Sequence, residues 1–266
     1  MVKSLSVRDL HRIRLAMQAI GTPSFATQFR RLLRAKMKFD TFLLIRFDAG
    51  ASPVMQSAWM QPDTFPEAAL SEYCDRTYLF DPFFQYRSFP PTGGVYHLPE
   101  IVPDRFFSSE YYLEYYRKVG LCDEIGLLAP LPNGSIAHLS ISRVNKSGPY
   151  RRREVRCLKH FAPVLLELLT QHNTVMQRQH GHAVDQKRSS ALSDIIRAQA
   201  QELFDVKLTK RESEIAALVL QGHSNGSAAL KLGIARETNK VHRRNLYRKL
   251  SISSQGELFA MLTHLL

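Results

Sequence analysis

The densest chemistry of the chain lies at residues 236–250, RETNKVHRRNLYRKL. At helical spacing Lys240, Val241, Arg243, Arg244 and Arg248 fall on one side, and Asn239, His242, Leu246 and Leu250 fall on the other. A row of guanidinium and ammonium groups suits one task above all, the binding of polyanions, because Arg pairs bidentately with phosphates and with guanine edges. A helix anchored on its inner side and cationic on its outer side fits the major groove of a duplex. A solvated surface helix carries charge as well; the glycine-separated helix pair directly before it favours DNA.

These residues need a scaffold, and the preceding sequence supplies one. Thr209 followed by Glu212 is a capping box that starts a helix, Ile215, Leu218 and Val219 give it an inner face, and Gly222 stops it. A second short helix is expected from Ser224 to Leu232, ended by Gly233, and the cationic helix follows from Arg236 to Leu250. A last helix over 254–266, capped by Ser254 and Glu257, carries the apolar stripe Leu258, Met261, Leu262 and Leu265.

The run LTKRESEI (208–215), then GHSNGSAALKLGI (222–234), then TNKVHRRNLYRKL (238–250) resembles the LuxR-type (LuxR/FixJ/NarL) helix-turn-helix family. The resemblance implies an all-α, four-helix DNA-binding domain in which Lys240, Val241 and Arg244 face the groove. With Thr238, Arg243 and Arg248 they make the candidate DNA-binding set. It further implies that the last helix dimerises through Leu258, Met261, Leu262 and Leu265; packing within its own domain is the other use of that stripe. Three departures stand out: Gly226-Ser227-Ala228 replaces the family's Lys-Glu-Ile, Asn239 replaces an inward valine, and Gln255 stands where arginine is frequent.

Upstream, Ser6 caps a helix with Leu10, Ile13, Met17 and Ile20 at helical spacing, and a second helix carries Phe25, Phe29, Leu32 and Leu33. TFLLIRF (41–47) and VMQSAW (54–59) read as a hairpin, 66–79 as a helix running into Asp81-Pro82, and Val95–Leu98 as a short strand. Glu110–Val119 is expected as a tyrosine-rich helix. EIGLLAPL and SIAHLSISR flank Pro132-Asn133-Gly134, the best hairpin signal in the chain. A long helix from about Arg151 should bury Val155, Leu158, Phe161, Leu165, Leu168 and Leu169. This order predicts an α/β sensor domain, an antiparallel sheet sandwiched by helices, of GAF/PAS-like pattern.

The same region is faintly similar to the autoinducer-binding domains of LuxR-type quorum-sensing regulators. That resemblance implies a role for Asp81 in taking a ligand amide N–H. Tyr96 falls near the family's second tryptophan, whereas Trp59 lies too far upstream to match its first. Asp81, Tyr96, Trp59 and Tyr112 form the candidate ligand set; the alternative for Asp81 is a capping carboxylate at a helix stop.

The chain has 266 residues and a net charge of +12, with 44% hydrophobic residues, enough for a packed core and a polyanionic partner. The expected division is 1–170 (sensor), 171–204 (a partly helical linker) and 205–266 (DNA-binding). Cys74, Cys122 and Cys157 show no metal spacing, and His172, His180 and His182 read as solvated linker residues, so no metal or cofactor is expected. No apolar leader or membrane-length run is present, which points to the cytoplasm and away from a membrane.

A receiver domain lacks its acidic pair. An enzyme lacks a nucleophile elbow, a metal spacing or a phosphate loop, despite His97, His138 and His160. The sequence therefore predicts a DNA-binding, non-enzymatic transcriptional regulator. Its expected partners are double-stranded DNA, a second copy of the chain and a small-molecule effector. The alternative is a LuxR-like interaction protein with weak or no DNA binding that titrates partner regulators.

Overall fold

The computed structural model describes residues 6–48, 51–62, 68–75, 77–87, 93–179 and 192–263. The start of the helix expected over 66–79, the linker histidines His180 and His182, and Leu265 lie outside them. The chain divides into two compact units: 1–69 with 86–101 and 119–187, and 70–85 with 102–118 and 188–266.

The first unit is built on a five-stranded antiparallel sheet. Its strands are β1 (Thr41–Phe47), β2 (Val54–Met60), β3 (Gly94–His97), β4 (Leu121–Pro130) and β5 (Ile136–Val144), in the order β2-β1-β5-β4-β3. The β4–β5 hairpin turns at Asn133-Gly134 as expected. Gly134 takes φ +84°, which costs glycine nothing, and the Leu131 N–H donates to the Ser135 carbonyl at 2.8 Å.

Alternation along the strands sends Phe42, Leu44, Ile125, Leu127, Leu139 and Ile141 to one face, where they form the core with helices α1 (Val7–Gln18), α2 (Phe25–Arg34) and α6 (Arg152–Gln179). All six apolar residues expected on α6 are buried. On α1 the capping box of Ser6 and Asp9 forms, but Ala16 rather than Leu10 or Met17 takes the core side; Leu10 and Met17 remain exposed. A helix can be placed by its spacing while its inward arc is misjudged by a third of a turn, because small residues such as Ala16 fit where α1 and α2 pack closely.

The helix α6 runs through the expected linker start at 171 and buries His172, which stacks on Phe25 at 3.9 Å between ring centroids and accepts the Gly21 N–H at 3.1 Å. His172 is thus a core residue and not a solvated one. Burial pushes its imidazole down to about 4.

In the second unit, α3 (Ala68–Asp75) contributes from Leu70 onward, and Thr77–Phe80 forms a short 3-10 turn before α4 (Pro82–Tyr86). Between β3 and β4 the chain makes α5 (Leu98–Ile101), which belongs to the first unit. The tyrosine-rich segment is a π-helical turn over Tyr112–Tyr116, not the regular α-helix expected. Tyr111 stacks on Tyr115 and Tyr112 on Tyr116, with Phe106 at 5.6 Å from the Tyr112 ring. Five helices complete the unit: α7 (Leu192–Phe204), α8 (Lys210–Leu220), α9 (Asn225–Leu232), α10 (Arg236–Lys249) and α11 (Gln255–Thr263). No helix among the described residues is long and apolar enough to cross a membrane.

Candidate nucleic-acid interface

The three helices α8, α9 and α10 are each set by local chemistry. The Thr209 hydroxyl accepts the Glu212 N–H at 3.2 Å and the Glu212 carboxylate accepts the Thr209 N–H at 2.8 Å, closing the capping box. Glu212 also receives the Lys249 ammonium at 2.7 Å, tying the end of α10 to the start of α8. Burial would raise the Glu212 carboxyl, but Lys249 and Thr209 together outweigh it and keep it ionised. Ser224 caps α9 by accepting the Ser227 N–H, and Gly233 ends it in the left-handed conformation at φ +65°.

α10 divides as its spacing predicts. Asn239 and Leu246 are fully buried and Leu250 nearly so, while His242 is half-buried. Burying Leu246 stabilises the unit by roughly 1.5–3 kcal/mol, which is what holds the outer face outward. Thr238, Lys240, Val241, Arg244 and Arg248 are exposed, with Val241 45% accessible. Lys240 pairs with Glu237 at 2.8 Å and Arg248 donates to the Asn245 side chain at 3.3 Å; both contacts are solvent-exposed and easily exchanged for phosphate. Arg244 makes no hydrogen bond or ion pair among the described residues.

Arg243 is placed differently. Its guanidinium donates to the Tyr247 hydroxyl at 2.9 Å and to Asn225 Oδ1 at 3.2 Å, and it lies 5.1 Å from the Tyr247 ring centroid. Asn225, Tyr247 and Ile252, which sequence reasoning did not single out, line a concave surface with Lys240, Arg243, Arg244 and Arg248. The i,i+4 spacing of Arg243 and Tyr247 was the available signal.

The departures have local consequences. Asn239 Nδ2 donates to the Asn225 carbonyl at 3.2 Å, while its buried Oδ1 has no hydrogen-bond partner among the described residues. Ala228 is buried. Gln255 is used: its Nε2 donates to the Val219 carbonyl at 3.1 Å and pins α11 to α8. Of the apolar stripe on α11, Leu258 is fully buried and packs within its own unit, while Met261 is half-buried. Leu262 lies on α11 and Leu265 lies outside the described residues.

The candidate ligand residues divide between the two units, Trp59 and Tyr96 in the first and Asp81 and Tyr112 in the second. Trp59 on β2 pairs in register with Phe42, shares the helix-packed face of the sheet, and has Arg30 and Arg34 at 4.6 and 4.5 Å from its ring centroid. Tyr96 on β3 lies at the other sheet edge and on the opposite face, beside Glu124, Ser140 and Ser142 by register. Trp59 therefore does not join Tyr96, because the two edge strands are separated by the width of the sheet. On that second face the Ser140 hydroxyl donates to Glu124 Oε1 at 2.6 Å, and Glu124, Ser140, Ser142 and His138 are all buried. Burial holds the His138 imidazole down to about 3, hence neutral. Asp81 and Tyr112 belong to the second unit. Asp81 accepts the Phe83 N–H at 2.8 Å and the Tyr73 hydroxyl at 2.5 Å, so it caps α4.

The comparisons with known proteins bear on this geometry. Residues 206–262 match the GerE model, described as bacterial regulatory proteins of the luxR family. The HTH-type transcriptional regulator in the exeN 3' region of Aeromonas salmonicida is 31% identical over 187 residues, spanning 70% of this chain and 95% of that protein. This chain belongs to the LuxR family of bacterial regulatory proteins. The response regulator protein TodT of Pseudomonas putida is 45% identical over 51 residues, 19% of this chain and 22% of that protein, so its likeness is confined to a short segment. For the fold, the ligand-binding domain of VqsR from Pseudomonas aeruginosa aligns with TM-score 0.56 at 22% identity, covering 65% of this chain and all of that one. The chain is thus a LuxR-family helix-turn-helix transcriptional regulator, with an antiparallel sheet and helices upstream of the helix-turn-helix.

Proposed function

We propose that the chain acts as a homodimer on a two-fold related DNA site, reading it with α10, and that a small molecule modulates this activity from the first unit. The observation that carries the DNA reading is the division of α10: buried Asn239, Leu246 and Leu250 hold the helix while exposed Thr238, Lys240, Val241, Arg244 and Arg248 face outward. Arg243, braced by Tyr247 and Asn225, is pre-oriented as a phosphate clamp rather than as a free base reader. The effector reading rests on the polar row of half-buried Tyr96 and buried Glu124, Ser140 and Ser142, where a carboxylate accepts and hydroxyls donate or accept. That chemistry suits a small neutral molecule with an N–H or hydroxyl donor. A cytoplasmic location follows from this reading.

Selection from a pool of random-sequence duplexes is expected to enrich sites with two-fold symmetry. Enrichment of isolated half-sites would overturn the dimer, and no enrichment would favour a protein that titrates partner regulators. Native mass spectrometry of the purified chain is expected to show a co-purifying small molecule that is lost in Glu124→Gln; identical spectra would overturn the effector assignment.

A further inference from the structure

The second unit contains a contact that the DNA-binding reading does not use. Residues 102–110 lie against the turn between α8 and α9. The Ser224 N–H, at the cap of α9, donates to Asp104 Oδ1 at 3.2 Å, and the Arg105 N–H donates to the Gly222 carbonyl at 3.1 Å. Gly222 is at φ +88°, and a Cβ there would stand 3.0 Å from the Phe106 Cα and 3.3 Å from the Ser109 Cβ, so the backbone of this segment seats where only glycine leaves room. The same unit brings the Phe80 ring to 5.5 Å from Phe259 on α11, and Glu110 Oε1 to 3.2 Å from where a Cβ on Gly256 would be.

In a helix-turn-helix the helix before the recognition helix crosses the DNA backbone, and free N–H groups at a helix start are ready phosphate ligands. In this chain the anion at the start of α9 is a carboxylate of the chain itself. Its bonds to Ser224 come first among the causes that hold the Asp104 carboxyl below the usual range, so it is charged wherever DNA would be bound.

We propose that Asp104 stands in cis for a DNA phosphate at the α8–α9 turn, so that the 102–110 segment and duplex DNA compete for the Ser224 N–H and the turn around it. The segment is then an intramolecular brake on DNA binding, held by one carboxylate, one backbone hydrogen bond and the seat at Gly222. The proposal rests on the DNA-binding reading above. Because Asp104 is exposed, its removal does not threaten folding.

The test uses the full chain and a fluorescently labelled random-sequence duplex at low salt. Asp104→Ala is expected to bind about threefold to tenfold more tightly than the parent, the range for releasing one charge-assisted hydrogen bond at a surface. By reciprocity, saturating the parent with duplex should speed hydrogen exchange of the Arg105 amide. Equal or weaker binding by Asp104→Ala overturns the proposal, and so does an Arg105 amide equally or better protected in the complex. Failure of both parent and variant to bind any duplex would overturn the DNA-binding reading itself, and this proposal with it.

Discussion

Asn239 shows what one side chain does to the recognition helix. Its amide nitrogen is satisfied by the Asn225 carbonyl, yet its oxygen is buried with no partner among the described residues, and a lone buried acceptor costs about 1–3 kcal/mol. Asn239→Val, which restores the family's inward residue, is expected to stabilise the second unit by about 1 kcal/mol, because one orphaned acceptor disappears and one modest hydrogen bond is given up. A thermal melt followed by circular dichroism checks it, and a lower midpoint would contradict the placement of Asn239. Leu258 and Met261 allow packing within the unit and the proposed dimer contact to be tested separately. Leu258→Ala should cost about 2–4 kcal/mol of stability through a core cavity. Met261→Glu should leave the melt unchanged and shift the sedimenting species to monomer. A monomer with Leu258→Ala and an unaltered dimer with Met261→Glu would reverse that assignment.

At the scale of elements, the capping box that starts α8 is also where Lys249 anchors α10. Thr209→Ala is therefore expected to cost about 1 kcal/mol, read as a lower denaturant midpoint for the second unit. In the first unit, α6 and α2 meet over His172, whose imidazole is held at about 4 against an ordinary 6.5. Between those values the unfolded chain binds a proton that the folded chain refuses. The stability contributed by neutral His172 is therefore complete above pH 6.5 and lost as pH falls toward 4.

Trp59, the single tryptophan of the chain, sits in that unit and reports its unfolding by fluorescence. His172→Gln, which keeps an acceptor for the Gly21 N–H, should flatten the decline; an unchanged pH profile would show that His172 does not drive it. Strands β1, β2, β4 and β5 and the division of α10 were legible in the sequence because alternation and helical spacing are local. His172 was not, because its burial depends on Gly21 and Phe25, more than a hundred residues away, and the inward arc of α1 was not, because it is set by how closely α1 packs on α2. Nor was the separation of Trp59 from Tyr96, which follows from sheet order rather than from either strand.

For the whole molecule, the same logic explains which site residues could be found. The cations of α10 advertise themselves by type and spacing, and the structure brings them to one surface with Asn225 and Tyr247. The candidate ligand set could not be assembled in the same way, since its members were matched one at a time to a distant pattern. Glu124 and Ser140 gain their chemistry only from the β4–β5 pairing. A chain of net charge +12 binds polyanions non-specifically in any case, so the decisive quantity is how affinity depends on α10 and on salt. Duplex affinity of the full chain measured across a salt series, for the parent and for the Lys240→Ala/Arg244→Ala double variant, tests this most directly. A steep linear fall of log K with log salt is expected in the parent. In the double variant, binding should be weaker and the slope shallower by about one per phosphate contact removed, with circular dichroism unchanged. A flat salt dependence in the parent, or a double variant with the parent's affinity and slope, would contradict DNA recognition by α10.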